Sequence, residues 1–158
     1  MILDNRLEFA DAESVAAAAG THNIGDVIDL SVARDVGNGQ PMYLVITVDT
    51  EIITGGSAGT IQFQLVSDGT DTIATNGTQT VHYTSRSFVT DDANANDAAL
   101  SAGAVPVVVA LPQEGQAYER YLAVQAVIGT TTTTAGKINA FLTHDVANWK
   151  AYDAPFQL

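Results

Sequence analysis

The chain has no cysteine, so it can form neither disulfides nor thiolate metal sites. The same absence leaves its redox compartment unread. Basic residues are scarce: six Lys and Arg stand against eighteen Asp and Glu, for a formal net charge of -12. Nucleic acid is bound mainly through Lys and Arg contacts to phosphate, and an anionic membrane surface attracts the same groups, so this balance argues against both partners. It favours solubility and suits a partner with a basic face. No apolar run approaches the roughly 20 residues needed to span a bilayer. The opening residues carry charges of both signs, and the apolar run 15–19 is too short and too late for a signal core. The expectation is a protein made in the cytoplasm and either used there or carried elsewhere as part of a particle. Charged residues are only 15% of the chain, well under the usual quarter, so Thr, Ser, Asn and Gln do much of the solvation.

What is present is strand pattern. In residues 42–53, Met42, Leu44, Ile46 and Val48 alternate with Tyr43, Val45, Thr47 and Asp49. Gly55 and Gly56 interrupt, and residues 60–67 alternate again with Ile61, Phe63 and Leu65 on one face. Two such runs across a glycine-rich turn read as a hairpin. Further strand-like runs occupy 27–31, 79–84, 105–111, 118–128 and 137–144, with a shorter one at 87–90. Turn chemistry at Gly37, Gly39, Asp68-Gly69, Asn76-Gly77 and 112–115 separates them. Helix is scarce; one or two turns could form in 11–19 or 92–102, neither with an apolar stripe. The polar stretch 67–80 reads as a mobile loop or hairpin tip, and 130–134 as a second loop or an exposed strand extension. The 158 residues fit one domain. The fold class is all-β: an antiparallel jelly-roll or β-sandwich of about eight strands, with an N-terminal arm over about 1–23 and a C-terminal tail over about 145–158. The core is expected from Leu44, Ile46, Val48, Ile61, Phe63, Leu65, Leu122, Val124, Ile138, Ala140 and Leu142.

Residues that could carry chemistry are few and scattered. His22, His82 and His144 form no His-x-His or His-Glu-x-x-His pair, and no Gly-x-Ser-x-Gly elbow supplies a nucleophile. Surface or hydrogen-bonded structural histidine is the plain alternative. Asp91, Asp92, Asn94, Asn96 and Asp97, and separately Asp68 and Asp71, offer oxygen ligands, but neither stretch has both the glycine and the terminal bidentate acid of a calcium loop. Asp49 and Glu51 share a strand face with no aromatic sugar platform. No catalytic residue, cofactor or metal site is expected. The terminal segments are richer. Ile2, Leu3, Leu7 and Phe9 precede the first clear strand; Trp149, Tyr152, Phe156 and Leu158 follow the last. Such side chains either fold back onto the core or anchor on a neighbour. Ile2, Leu3, Leu7, Phe9, Trp149, Tyr152 and Phe156 are thus the candidate partner or oligomer contacts.

Segments 27–50 (with Arg34, Asp35, Gly37, Gly39 and Pro41), 119–127 (opening Glu119-Arg120-Tyr121-Leu122) and 134–142 (with Gly136 and Leu142), together with the opening 1–12, resemble the small capsid cement (decoration) proteins of short-tailed bacteriophages. The order and spacing of these segments, spread from the start of the chain to near its end, carry the resemblance. It implies a jelly roll that self-associates, most readily as a homodimer, and attaches to the major capsid protein on the outside of the virion, with no enzyme activity and no cofactor. Ala123, Gln125 and Ala126 depart from the bulkier or more polar residues of relatives. The alternative from the residues alone is a carbohydrate- or host-receptor-binding β module.

Overall fold

The computed structural model describes residues 4–37, 39–90 and 96–146. Among the described residues nine strands form, in chain order β1 (Glu8–Ser14), β2 (Gly20–Asp29), β3 (Tyr43–Thr54), β4 (Thr60–Asp68), β5 (Thr80–Thr84), β6 (Phe88–Val89), β7 (Val107–Ala110), β8 (Tyr121–Gly129) and β9 (Thr133–Thr143). Two short 3-10 turns, Asn5–Leu7 and Ala98–Leu100, are the helical content of the described residues. Among the described residues no helix is long and apolar enough to cross a membrane.

The strands make two antiparallel sheets, one ordered β1-β9-β3-β7 and the other β2-β8-β4-β5, with β6 beside β4. The order follows from four pairings wound together: β1 with β9, β2 with β8, β3 with β7, and β4 with β5. The β3–β9 and β4–β8 ladders then join the pairs into sheets. This winding is a jelly roll with eight principal strands, as the alternating pattern implied.

Every residue of the expected core is buried to 2% exposure or less. Leu44, Ile46 and Val48 from one sheet face Ile61, Phe63, Leu65, Leu122 and Val124 from the other in one apolar cluster. Burying an aliphatic or aromatic side chain of this size contributes about 1.5–3 kcal/mol, so the cluster is the main source of stability. Phe63 sits against Phe88 with ring centroids 6.1 Å apart and planes tilted by 52°.

The expected hairpin between residues 42–53 and 60–67 does not form. β3 pairs with β9 and β7, while β4 pairs with β8, β5 and β6. The connection 55–59 is an arch from one sheet to the other. Both strands carry a full inward apolar row, and facing the rows across the sandwich buries each against the other. Ala58 takes a positive φ of 63° there. The threonine run fastens the arch: Thr131 Oγ1 donates to Ser57 O at 3.1 Å, and Thr54 Oγ1 donates to Thr132 O at 2.6 Å. Thr133 and Thr134 begin β9, so that run is partly strand.

The N-terminal arm is also revised. Residues 8–14 and 20–29 are strands of the two sheets, and Phe9 and Ala10 lie in the core. Two register shifts and a positive φ at Ala12 break the alternation of β1, which hides it from a period-2 reading. The helical option for 11–19 fails for the same reason, since 11–14 is strand. Of the stretch 92–102, residues 96–102 are described, and they hold one short helical turn, Ala98–Leu100, capped by the Asp97 side chain.

Replacing Phe63 with Ala should lower stability by about 3–5 kcal/mol, because the cavity would lie between two packed sheets. Chemical denaturation checks it; an unchanged midpoint would remove Phe63 from the core.

Candidate partner-binding surface

Of the seven candidate contacts, Leu7 and Phe9 lie within the described residues. Phe9 is 1% exposed and packs in the core, so it is no partner anchor in the folded chain. Leu7 is half-buried and packs against that core from the turn Asn5–Leu7. Ile2, Leu3, Trp149, Tyr152 and Phe156 lie outside the described residues.

The strands that replace the arm bring acids together. β1 carries Glu8, Asp11 and Glu13, and β2 carries Asp26 and Asp29; these two strands meet at one side of the sandwich. Their approach depends on Gly25, whose φ is +66° and whose absent Cβ would collide with the Phe9 carbonyl oxygen. A shallow groove of about 450 Å³ runs there, lined by Asn5, Arg6, Glu8, Asp26, Val27, Ile28 and Asp29. Asp29 is bound by Arg120 through two bonds of 2.8 Å, Nε to Oδ1 and Nη2 to Oδ2. Those bonds, and one from the Ser31 amide, lower the Asp29 carboxyl to about 2. Glu8, Asp11, Glu13 and Asp26 leave this side strongly acidic. The sequence held that signal, but only the recognition of β1 as a strand would have exposed it.

The opposite face of the second sheet is covered by its own chain. Residues 69–79, between β4 and β5, fold back over the outer side of β8. Ile73 is 3% exposed against Val66 and Ala123. Gln125, fully buried, donates through Nε2 to Asn23 Oδ1 and to Ala74 O, both at 2.8 Å, and accepts from Gln79 Nε2 at 3.0 Å. Asn23 Nδ2 in turn donates to Ile73 O at 2.9 Å. This segment is a hairpin connection, as expected, but a fastened one. The small Ala123 leaves room for Ile73, and the amide of Gln125 holds the main chain above it.

His82 and Ser67 meet, with 2.7 Å between Nε2 and Oγ. The pair resembles a base and a nucleophile, yet Ser67 is completely buried and its Oγ accepts the Glu119 amide N–H at 3.0 Å. The Glu119 carboxylate accepts from Thr80 Oγ1 at 2.7 Å rather than from the imidazole. Ser67 Oγ therefore bridges the Glu119 amide and the imidazole, holding the ring in place whichever of Oγ and Nε2 carries the shared proton. Its ring stacks on Tyr118 at 3.9 Å. Burial pushes the imidazole below the usual value of 6.5, against the opposing pull of Glu119 and Asp35. A hydroxyl sealed from solvent meets no substrate; these groups tie β4, β5 and the start of β8 together.

The other candidate ligands are committed elsewhere. His144 Nδ1 lies 2.9 Å from Pro41 O, and His22 Nε2 lies 2.9 Å from Ala18 O. Asp68 accepts the amides of Thr70 and Ala74. Glu51 accepts from Asn96, and Asp97 binds Arg86. Asp91, Asp92 and Asn94 fall outside the described residues. Among the described residues, no three His, Asp or Glu side chains gather as a metal site.

Fold and surface together define a jelly-roll β-sandwich with one acidic edge. The Bbp16 family model matches residues 9–142, from β1 almost to the end of β9, and the chain belongs to this family of phage-associated proteins. No curated protein matches the chain.

Two outcomes are expected. Gln125→Leu strands the Gln79 amide and two acceptors, so it should cost about 1–3 kcal/mol and speed proteolysis within 69–79; thermal melts and limited digestion check this. Because the folded His82 value lies below the unfolded one, its contribution is complete above 6.5 and is lost as pH falls through 6.5 toward the folded value. Stability measured from about pH 7 to about pH 5 should therefore fall more steeply in the parent than in His82→Gln.

Proposed function

We propose that the chain is a structural virion protein that binds the outside of a phage capsid and stabilises the lattice of the major capsid protein, acting as a dimer and catalysing nothing. The observation that carries this reading is the family match, which runs through the whole sandwich from residue 9 to residue 142. The acidic side formed by Glu8, Asp11, Glu13 and Asp26 supports it, because a lattice face rich in Lys and Arg would be attracted to it and nucleic acid would be repelled.

The work of such a protein is thermodynamic. A ligand that binds only the mature lattice stabilises it by about 2.7 kcal/mol per site at a free concentration a hundred times its dissociation constant. A rigid domain suits the task, since little ordering entropy is lost on binding.

The test mixes the purified chain with capsids of its phage assembled without it. The chain should co-sediment with expanded capsids and raise their resistance to heat. Glu13→Gln with Asp26→Asn should weaken attachment and flatten its salt dependence, since both side chains are exposed at the acidic groove. Absence of binding to expanded capsids, or a glycan that binds in their place, would overturn the proposal.

A further inference from the structure

A sheet edge presents a row of main-chain N–H and C=O groups that another strand can pair with, and folded proteins guard such edges with charges, prolines and bulges. Among the described residues β1 and β7 are the edges of one sheet, β2 and β5 those of the other. Three of the four are guarded. β1 bears Glu8, Asp11 and Glu13 and is broken by two register shifts. β2 bears Asp26 and Asp29 and shifts register between Ile24 and Ile28. β7 is four residues long and lies between Pro106 and Pro112.

β5 is different. Thr80-Val81-His82-Tyr83-Thr84 contains no Lys, Arg, Asp, Glu or Pro. Its one irregularity leaves His82 unmatched between the pairs Leu65–Tyr83 and Val66–Val81, and that ring is bound to Ser67. Val81 is 44% exposed and Val89, in β6 on the same side of β4, is 42% exposed; with Val32 they are the exposed large hydrophobics among the described residues. Two of the nearby charges are already engaged, while Asp35 acts on His82 from the β2–β3 connection. Arg86 binds Asp97 and lies 4.1 Å over the Phe88 ring, and Glu119 is held by the Thr80 hydroxyl.

We propose that β5 is the seam at which two copies of this chain pair, edge to edge about a two-fold axis, so that their five-stranded sheets become one continuous sheet. This rests on the self-association included in the function proposed above. Charge selects the occupant. Each copy carries -12, so two copies repel wherever their acids line a contact. In two-fold antiparallel pairing the strand meets itself, and β5 brings an uncharged row against an uncharged row with Val81 at the join. A basic partner would gain nothing at this edge and would favour the acidic side at β1 and β2. The seam thus leaves the acidic side of each copy free for the lattice.

The experiment uses the full chain, with sedimentation velocity and amide hydrogen exchange over a range of micromolar concentrations. A dimer is expected, with exchange in residues 80–84 slowing as concentration rises while residues 107–110 do not change. Val81→Lys should raise the dimer dissociation constant at least about tenfold. Val32→Lys, at a position 56% exposed in the β2–β3 connection, should leave it unchanged. If Val81→Lys melts below the parent, the exchange result on the unaltered chain decides. A dimer that survives Val81→Lys with the parent's affinity, or concentration-dependent protection at 107–110 instead of 80–84, overturns the seam but not self-association. A monomeric mass throughout overturns both. Neither result bears on whether the chain sediments with capsids, which is read separately.

Discussion

The ladder between β4 and β8 is the interaction on which the rest of the molecule is arranged. It runs from Thr60↔Gly129 to Asp68↔Tyr121 without a register shift. Because successive side chains on a strand alternate between faces, this one register assigns every residue on both strands to a side. Ile61, Phe63 and Leu65 meet Val124, Ala126 and Ile128 in the core. Val66, Ala123 and Gln125 turn outward to receive the segment 69–79. A slip of one residue would put Phe63 and Gln125 on the same side, so that either Gln125 enters the core or Phe63 leaves it.

The same ladder sets where the remaining groups can act. Ser67, near its end, is brought within reach of both the Glu119 amide and His82, so a cluster that looks chemical is consumed in closing one end of the sandwich. On the far side of β4 it leaves β5 as the outermost strand, with no guard of charge or proline. On the far side of β8 lies β2, which meets β1 and collects acids on both. An acidic side and a neutral edge are therefore separated by the width of the sheet. A protein that must hold a basic lattice and a second copy of itself at once would profit from that separation, since the two contacts do not compete.

The strand at residues 42–53 and the one at 60–67 were legible because each alternates and one face of each begins with three successive large apolar residues. Six of the expected core residues lie on these two strands and the other five on β8 and β9, and all are buried. β1 was not legible. Phe9 and Ala10 are adjacent and both buried, and the shifts around Ala12 take the remaining residues out of phase, so Glu8–Ser14 looks like a polar arm. The polar residues Thr21, His22 and Asn23 conceal the first half of β2 in the same way. Misreading these two strands also hid the acidic groove, whose carboxylates lie about twenty residues apart in sequence and meet only when the strands do.

Some properties followed from the residues alone. The charge imbalance, the absence of thiols, the all-β class and the inward row of each regular strand depend on composition or on neighbours within a few positions, where local chemistry is decisive. Partnership depended on the tertiary structure. A glycine-rich connection such as 55–59 serves a hairpin and an arch equally well, and the choice falls to whichever packing buries both apolar rows. That is a contest between distant surfaces: β3 lies beside β9, some ninety residues away, because facing β4 across the sandwich buries more than lying next to it.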